Sequence, residues 1–356
     1  MASHGQKIGK TIALLQGITK FVTVKRRLLC LFYIITTLLL STSSRVRAVC
    51  MCIYMACFLG SGLFIFKDME ENVMLRIAVQ TKGRLNEQSM DLLKEAGVTV
   101  SQEKRKFLMR AADFPAEIIF LRDDDIPQTV AIGAADMGIV GYNEVAEKNL
   151  EVNVLQKLGF GGCRISLAIP KTETYTGLDY FNGKRVATSY PEILRRFFEE
   201  KGIDAQIHTI TGSVEIAPAA GLADAIFDIV SSGGTLVSNG LVEVEKVLFS
   251  EAVLIANPGL SEEKMALARQ LMSRFEAVRN GIGKKYLLLN IPVAALDEAI
   301  SLLPAMRSPT VIPLANSEWC SLQTVVDETN LWNLIESLKA IGAEGILVLS
   351  LDKIVL

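Results

Sequence analysis

A chain of 356 residues is long enough for two or three domains with a sizeable core, and a net charge of −2 excludes a broad nucleic-acid-binding surface. Its two histidines, His4 and His208, leave no His-based zinc site and no Ser-His-Asp triad. The charge is uneven: residues 1–67 hold nine Lys or Arg and no acid, whereas from Met74 onward 36 acids face 28 bases.

The leader, residues 1–73, is therefore expected to stand apart from the rest. It holds Cys30, Cys50, Cys52 and Cys57, four of the six cysteines. Its first apolar run, Leu28–Leu40, has 13 residues and is short for a bilayer. The second, Ala48–Phe66, has 19 uncharged residues between Arg47 and Lys67, close to the length of a span. Bases on both sides give no orientation, and no small-residue cleavage site follows. A membrane anchor, a targeting segment and upstream sequence ahead of a start at Met74 are the three readings. The third is favoured, because Met74-Leu-Arg-Ile-Ala-Val-Gln opens a complete fold unaided. Beyond the leader only Cys163 and Cys320 remain, and two distant cysteines fit free thiols in a reducing compartment.

From Met74 the elements read in order. Leu75–Gln80 predicts a strand, Thr81-Lys82-Gly83-Arg84 a cationic turn, and Leu85–Ala96 a helix closed by Gly97. Cations where a helix opens suit a pyrophosphate beside the helix N–H groups; a solvated basic turn is the plain alternative. Glu117–Arg122 is a second strand. Asp123-Asp124-Asp125 follows, with Ile126-Pro127 opening a helix to about Ala134. Acids at the positive end of a helix need no ligand; the functional reading sets them near ribose hydroxyls or a metal-bound phosphate. Ala135–Gly141 is a strand. Leu158–Pro170 leads through Gly161-Gly162 into another, and the glycine pair marks a hinge or a close backbone approach. Cys163 reads as a small buried residue, and Arg164 as a substrate clamp or an ion-pair member.

Lys184–Thr188 opens a second α/β lobe. Ser189-Tyr190-Pro191 leads into the helix Glu192–Lys201, ended by Gly202. Ile203–Thr211 is a strand with His208 on its surface. Next comes the most informative stretch, Glu215 to Leu236. Asp224–Val230 is short, apolar and branched, a buried strand with acids near its ends. Ser231-Ser232-Gly233-Gly234-Thr235 follows directly. Small residues let the backbone turn tightly with N–H groups facing an anion, and three hydroxyls add donors. A phosphate suits that loop, and sugar hydroxyls suit Glu215, Asp224 and Asp228. An ordinary strand-to-helix turn is the plain alternative. Val247–Ala256 then predicts one strand, and Ser261–Ile282 a long helix capped by Ser261. From Lys285 the order is strand, helix, strand, strand, helix, strand: a ferredoxin-like unit of about 70 residues with no glycine loop or acid pair. It suits regulation, assembly or packing.

Together these residues resemble the ATP phosphoribosyltransferase family, the first enzyme of histidine biosynthesis. The signature falls on Glu215, Gly221, Ala223, Ile226, Asp228, Ser232, Gly233, Thr235 and Leu236. Lys82-Gly83-Arg84-Leu85, Asp123–Pro127, Phe160–Arg164 and Ser189-Tyr190-Pro191 add to it, so the resemblance covers essentially Met74–Leu356. The C-terminal unit is similar to that of the long form; the leader has no counterpart. The resemblance implies an α/β fold with two periplasmic-binding-protein-like lobes around a cleft, plus the ferredoxin-like βαββαβ domain. Lobe I would comprise 74–163 and 251–284, lobe II 164–250, and a histidine-binding regulatory domain 285–356.

The implied reaction joins ATP to phosphoribosyl pyrophosphate with Mg2+, giving N1-(5-phosphoribosyl)-ATP and pyrophosphate. Ser231, Ser232, Gly233, Gly234, Thr235 and Leu236 would hold the 5-phosphate. Asp228, with Glu215 or Asp224, would hold the ribose hydroxyls, and Asp228 the Mg2+. Lys82, Gly83, Arg84, Asp123, Asp124, Asp125, Arg164, Ser189 and Tyr190 would meet ATP or pyrophosphate. Histidine would inhibit from the C-terminal domain, where Glu318 and Ser321 are candidates beside a plain surface-polar reading. Dimers assembling into a hexamer, a cytoplasmic location and no membrane contact, unless the leader is real, complete the expectation. A solute-binding protein of the same fold, tethered by the leader, is the alternative from another class; a phosphoribosyltransferase for another base is a second.

Overall fold

Runs of branched apolar residues form the centre of each sheet, because parallel strands covered on both faces tolerate no polar alternation. Leu75, Ile77, Ala78 and Val79 are fully buried, as are Ile226 and Phe227. The structure is a computed structural model that describes residues 73–100, 107–303 and 308–356. The expectations for the leader lie outside the described residues. No helix among the described residues is long and apolar enough to cross a membrane.

The first sheet is built from β1 (Leu75–Gln80), β2 (Leu108–Arg110), β3 (Ala116–Leu121), β4 (Met137–Gly141) and β5 (Asn153–Lys157), with α1 (Arg84–Glu95), α2 (Ile126–Ala131) and α3 (Tyr142–Lys148) between them. The second sheet takes β6 (Cys163–Pro170), β7 (Arg185–Thr188), β8 (Gln206–Thr209), β9 (Ala225–Val230) and β10 (Leu241–Ser250), with α4 (Pro191–Lys201) and the short α5 (Gly234–Ser238). Then β11 (Ala252–Ala256) returns to the first sheet and α6 (Glu262–Gly281) covers it. The strand orders are β2-β3-β1-β4-β11-β5 and β10-β6-β9-β7-β8. In the first sheet β11 returns from beyond the second lobe and lies antiparallel between β4 and β5; in the second, β6, the first strand after the crossing, lies antiparallel between β9 and β10. Two α/β lobes joined by two crossings, the chain returning to complete the first, have the periplasmic-binding-protein arrangement.

The stretch Val247–Ala256, expected as one strand, is two. It changes sheets at Glu251, and neither Gly nor Pro marks the break. The aspartates 123–125 form a 3-10 turn, and Asp125 makes no side-chain cap to α2. Ser261 does cap α6, its Oγ accepting from Lys264 N.

The C-terminal unit has β12 (Lys284–Pro292), α7 (Leu296–Leu302), β13 (Thr310–Pro313), β14 (Trp319–Asp327), α8 (Leu331–Ala340) and β15 (Glu344–Ser350). The antiparallel order β13-β14-β12-β15 is the ferredoxin-like one. Its tail lies on the first lobe. Ile354 N–H donates to Ala277 O at 2.8 Å and Lys353 pairs with Glu95. Gly281 admits this tail, since a Cβ there would stand 2.9 Å from Asp352 O.

One packing contact gives a stability test. A Cβ on Gly138, in the middle of β4, would lie 2.6 Å from Ile126 Cγ2 and 3.1 Å from Val130 Cγ2. Both neighbours are buried β-branched residues with little room to move. Gly138→Ala should destabilise by about 1–3 kcal/mol, read as a lower denaturant midpoint. An unchanged midpoint would contradict the packing.

Candidate active site

In open α/β sheets ligands bind beyond the carboxyl ends of the parallel strands. On the first lobe those ends carry Thr81–Arg84 after β1, the Asp123–Asp125 turn after β3 and Tyr142–Glu144 after β4. On the second they carry Ser189-Tyr190 after β7, Glu215 in the 3-10 turn beyond β8, and Ser231–Gly234 after β9. Most of the residues expected from the sequence therefore lie at strand ends suited to a cleft. Asp224 does not. It precedes β9, a strand's length of about 20 Å from the loop, because the six residues of β9 lie between it and Ser231. Its carboxylate accepts from Arg185 Nη2 at 2.9 Å and from Arg185 N at 2.9 Å, which holds it below the usual carboxylate range. This corrects its expected place beside Asp228: it is a structural ion-pair partner.

Glu215 lies near enough to Asp228 for its charge to act on it. Burial pushes the Asp228 carboxyl up to about 6, against the Ile229 N–H that donates to it, and the charge of Glu215 adds to the rise. Glu215 is presented by a turn whose preceding residue, Ser213, has φ 51, a left-handed backbone that a non-glycine residue rarely adopts. Immediately after β9, Ser231, Ser232, Gly234 and Thr235 are exposed. Gly233 sits at φ 82 and starts α5 without any side-chain cap. Leu236, expected in the same loop, is 6% exposed and packs into the lobe's core, so only its backbone faces the turn.

Arg164, expected as a substrate clamp or an ion-pair member, stands in an ion pair in the structure. Its Nε and Nη2 meet Glu243 Oε1 and Oε2 at 2.5 and 2.6 Å, and its Nη1 donates to Ser231 O at 3.1 Å. It braces the loop from behind. Ser189 Oγ donates to Ile210 O at 2.8 Å. Lys82 and Arg84 are exposed, flanking Gly83 at φ 96, whose Cβ position is open. Arg122 Nε stands 3.3 Å from Asp124 Oδ1 without hydrogen-bond geometry, so that buried oxygen has no hydrogen-bond donor.

A buried polar network connects these parts. Glu144 Oε1 accepts from Asn143 Nδ2 at 2.8 Å and from Tyr190 Oη at 3.0 Å. Asn143 Oδ1 accepts from Ser250 Oγ at 2.8 Å. Burial raises the Glu144 carboxyl to about 7, with Asp123 and Asp124 adding to the rise and the Tyr190 hydroxyl and Lys148 opposing it. Burial and the charge of Glu144 push the Tyr190 hydroxyl up in turn. Cys163 stands opposite Ser250 in the β6–β10 register, and burial raises its thiol. A protonated, half-buried thiol is no nucleophile.

Comparison with known proteins decides the family. A profile described as "ATP phosphoribosyltransferase" matches residues 122–277, and one described as "HisG, C-terminal domain" matches 282–353. An ATP phosphoribosyltransferase of Parabacteroides distasonis is 59% identical over 282 residues, 79% of this chain and all of that protein. The chain belongs to the ATP phosphoribosyltransferase family. An ATP phosphoribosyltransferase of Bacteroides thetaiotaomicron is 56% identical over the same length, again covering all of the relative. Among solved structures, an ATP phosphoribosyl transferase (HisG:HisZ) complex from Thermotoga maritima matches with TM-score 0.51 and 31% identity, over 57% of this chain and 96% of that one. As an ATP phosphoribosyltransferase of the long form the protein is a pentosyltransferase of the first step in histidine biosynthesis. That selects the enzyme over the tethered solute-binding protein.

Sequence reasoning missed α3, and with it Asn143, Glu144 and Glu147. Its seven residues mix polar and apolar types too briefly for a clear period. The available signal was an Asn-Glu pair directly after a strand's carboxyl end.

Glu144 has a signature in pH. An unfolded glutamate titrates near 4.5 and the folded one near 7, so the folded state binds more protons between those values. Stability then falls as pH rises through that window. Glu144→Gln, compared with the unmodified chain by denaturant unfolding, should gain relative stability from pH 4.5 to 7, by up to about 3 kcal/mol. A difference that does not change with pH would refute the raised carboxyl.

Proposed function

We propose that the cleft joins ATP to phosphoribosyl pyrophosphate, releasing pyrophosphate, with the Ser231–Thr235 loop on the 5-phosphate and Asp228 with Glu215 on the ribose hydroxyls. The observation that carries this reading is the juxtaposition of a half-buried acid pair with an uncapped, hydroxyl-rich glycine loop at one strand end. Adenine N1 attacks the anomeric carbon as the pyrophosphate departs, through an oxocarbenium-like state. What the protein must supply is alignment of two polyanions and stabilisation of the leaving charge, with no covalent nucleophile. Lys82 and Arg84, exposed on the other lobe, serve the second anion. Tyr190, Ser189 and the Asp123–Asp125 turn complete the ATP side, and Asp124 Oδ1, ion-paired to Arg122 but without a hydrogen-bond donor, is an acceptor a ligand donor would satisfy.

The reaction is metal-dependent in this reading, and the metal is Mg2+. No group of three or more His, Cys, Asp or Glu among the described residues makes a cage. Two carboxylates, Asp228 and Glu215, fit an ion that keeps waters and takes its other ligands from substrate phosphates, as Mg2+ does. When bound it would neutralise charge on the departing pyrophosphate. A cytoplasmic location accompanies a substrate such as ATP.

The C-terminal domain is assigned to feedback by histidine and to assembly of dimers into a hexamer. Exposed Val311, Ile312, Leu347, Val348 and Leu349 on β13 and β15 support a further contact there. Of the two candidates for histidine contact, Ser321 is buried and donates to Leu289 O, leaving Glu318 at the surface.

A pyrophosphate-release assay with both substrates tests the whole reading, and removing Mg2+ with a chelator should abolish the signal. Asp228→Ala should lower turnover by at least ~10²-fold with the fold intact, and a near-normal rate would remove the residue from catalysis. Histidine should inhibit the intact chain, and a variant lacking 285–356 should keep partial catalysis without that inhibition. Retained inhibition would place the effector elsewhere.

A further inference from the structure

Helix α3 leaves the first sheet at the end of β4, yet its side chains serve both lobes. Val145 joins the apolar cluster of the first lobe, and Ala146, the next residue, packs against that of the second. Glu147 is 8% exposed and reaches the start of α4 on the second lobe. Its Oε1 accepts the Glu192 N–H at 2.9 Å and its Oε2 the Ile193 N–H at 2.9 Å. These are two of the amides a helix start leaves unpaired, and a carboxylate there also faces the positive end of the dipole. Shielding from water strengthens such charge-assisted bonds. The helix has no cap of its own, since Tyr190 at the N-cap makes no side-chain cap bond. Arg196 returns the contact, donating to Ala146 O. One turn back on α3, Asn143 and Glu144 hold the Tyr190 hydroxyl.

A chain that crosses twice between two lobes has a hinge at its crossing, here beside the Cys163–Ser250 pair. Something else must fix the angle. We propose that Glu147 is the positioning residue that does so: its cap on α4 latches the lobes in the alignment that sets Tyr190 and the phosphate loop opposite the Asp123–Asp125 turn. Breaking the latch lowers the population of the aligned state. The apparent affinity for substrates falls by that fraction, while saturating substrates restore alignment and turnover.

The test uses the full chain with Glu147→Gln, which keeps the size but turns one acceptor into an amide facing an N–H. KM for ATP and for phosphoribosyl pyrophosphate should each rise about tenfold, with kcat within about twofold of the unmodified enzyme. Small-angle scattering should show a larger radius of gyration without ligand, converging with the unmodified enzyme once both substrates are added. A merely structural role would lower kcat with the misfolded fraction and leave KM unchanged; that result overturns the proposal, as does unchanged KM with unchanged scattering. Should Glu147→Gln fail to fold, Arg196→Met on the exposed side of the same latch decides, with the same directions and a smaller rise; no change in either reading overturns it. The kinetic arm rests on the substrate reading of the cleft. An unmodified enzyme without turnover would refute that reading alone, and scattering would still decide the latch.

Discussion

The pairing of β6 with β10 ties the two crossings of the chain into one ribbon, and the cleft takes its shape from where that ribbon ends. The register runs from Leu241 opposite Pro170 to Ser250 opposite Cys163, with irregularities after Glu243 and Lys246 that twist it. Both members of the Arg164–Glu243 pair sit on the ribbon, and Arg164 reaches from it to the carbonyl of Ser231. The turn that begins the glycine loop is thereby fixed to the hinge. The pair is mostly buried and bidentate, and Ser166 Oγ donates to the same Glu243 Oε1 that Arg164 Nε meets. Removing one partner would leave the other's partly desolvated charge without its counter-charge.

Acids stand at the strand ends of both lobes. Asp123, Asp124 and Glu144 stand on one side, Asp228 and Glu215 on the other, and the exposed cations Lys82 and Arg84 sit on the first lobe alone. Two of the acids are pushed up towards neutrality because burial disfavours their charge. Such a surface repels polyanions unless a divalent cation or protons offset it.

How much of this was legible in the sequence follows from the range of each interaction. Strands such as Leu75–Gln80 and the helix after Pro191 were readable because period, proline and terminal glycine act locally. The loop Ser231–Thr235 was readable for the same reason: its chemistry is contiguous. The division at Glu251 was not, since changing sheets there depends on partners from Gly141 to Lys157 rather than on the residue itself. Nor was the difference between Asp224 and Asp228. They are four residues apart, Asp224 just before β9 and Asp228 on it, and the ion pair of Asp224 with the distant Arg185 is what tells them apart. Arg164 was left open between two roles, and the ion-pair partner it meets, Glu243, lies 79 residues away.

The return of β11 also orders the assembly of the protein in time. As the chain leaves the ribosome, β1, β3 and β4 emerge first, but the strand that fills the gap between β4 and β5 comes only after the whole of the second sheet. The second lobe has all five of its strands in one continuous segment and can close while the first is unfinished. Until β11 arrives, β4 and β5 expose unpaired edges, the kind of surface that recruits chaperones or a wrong neighbour. The lobe that comes first in the sequence is thus the last to be completed during translation.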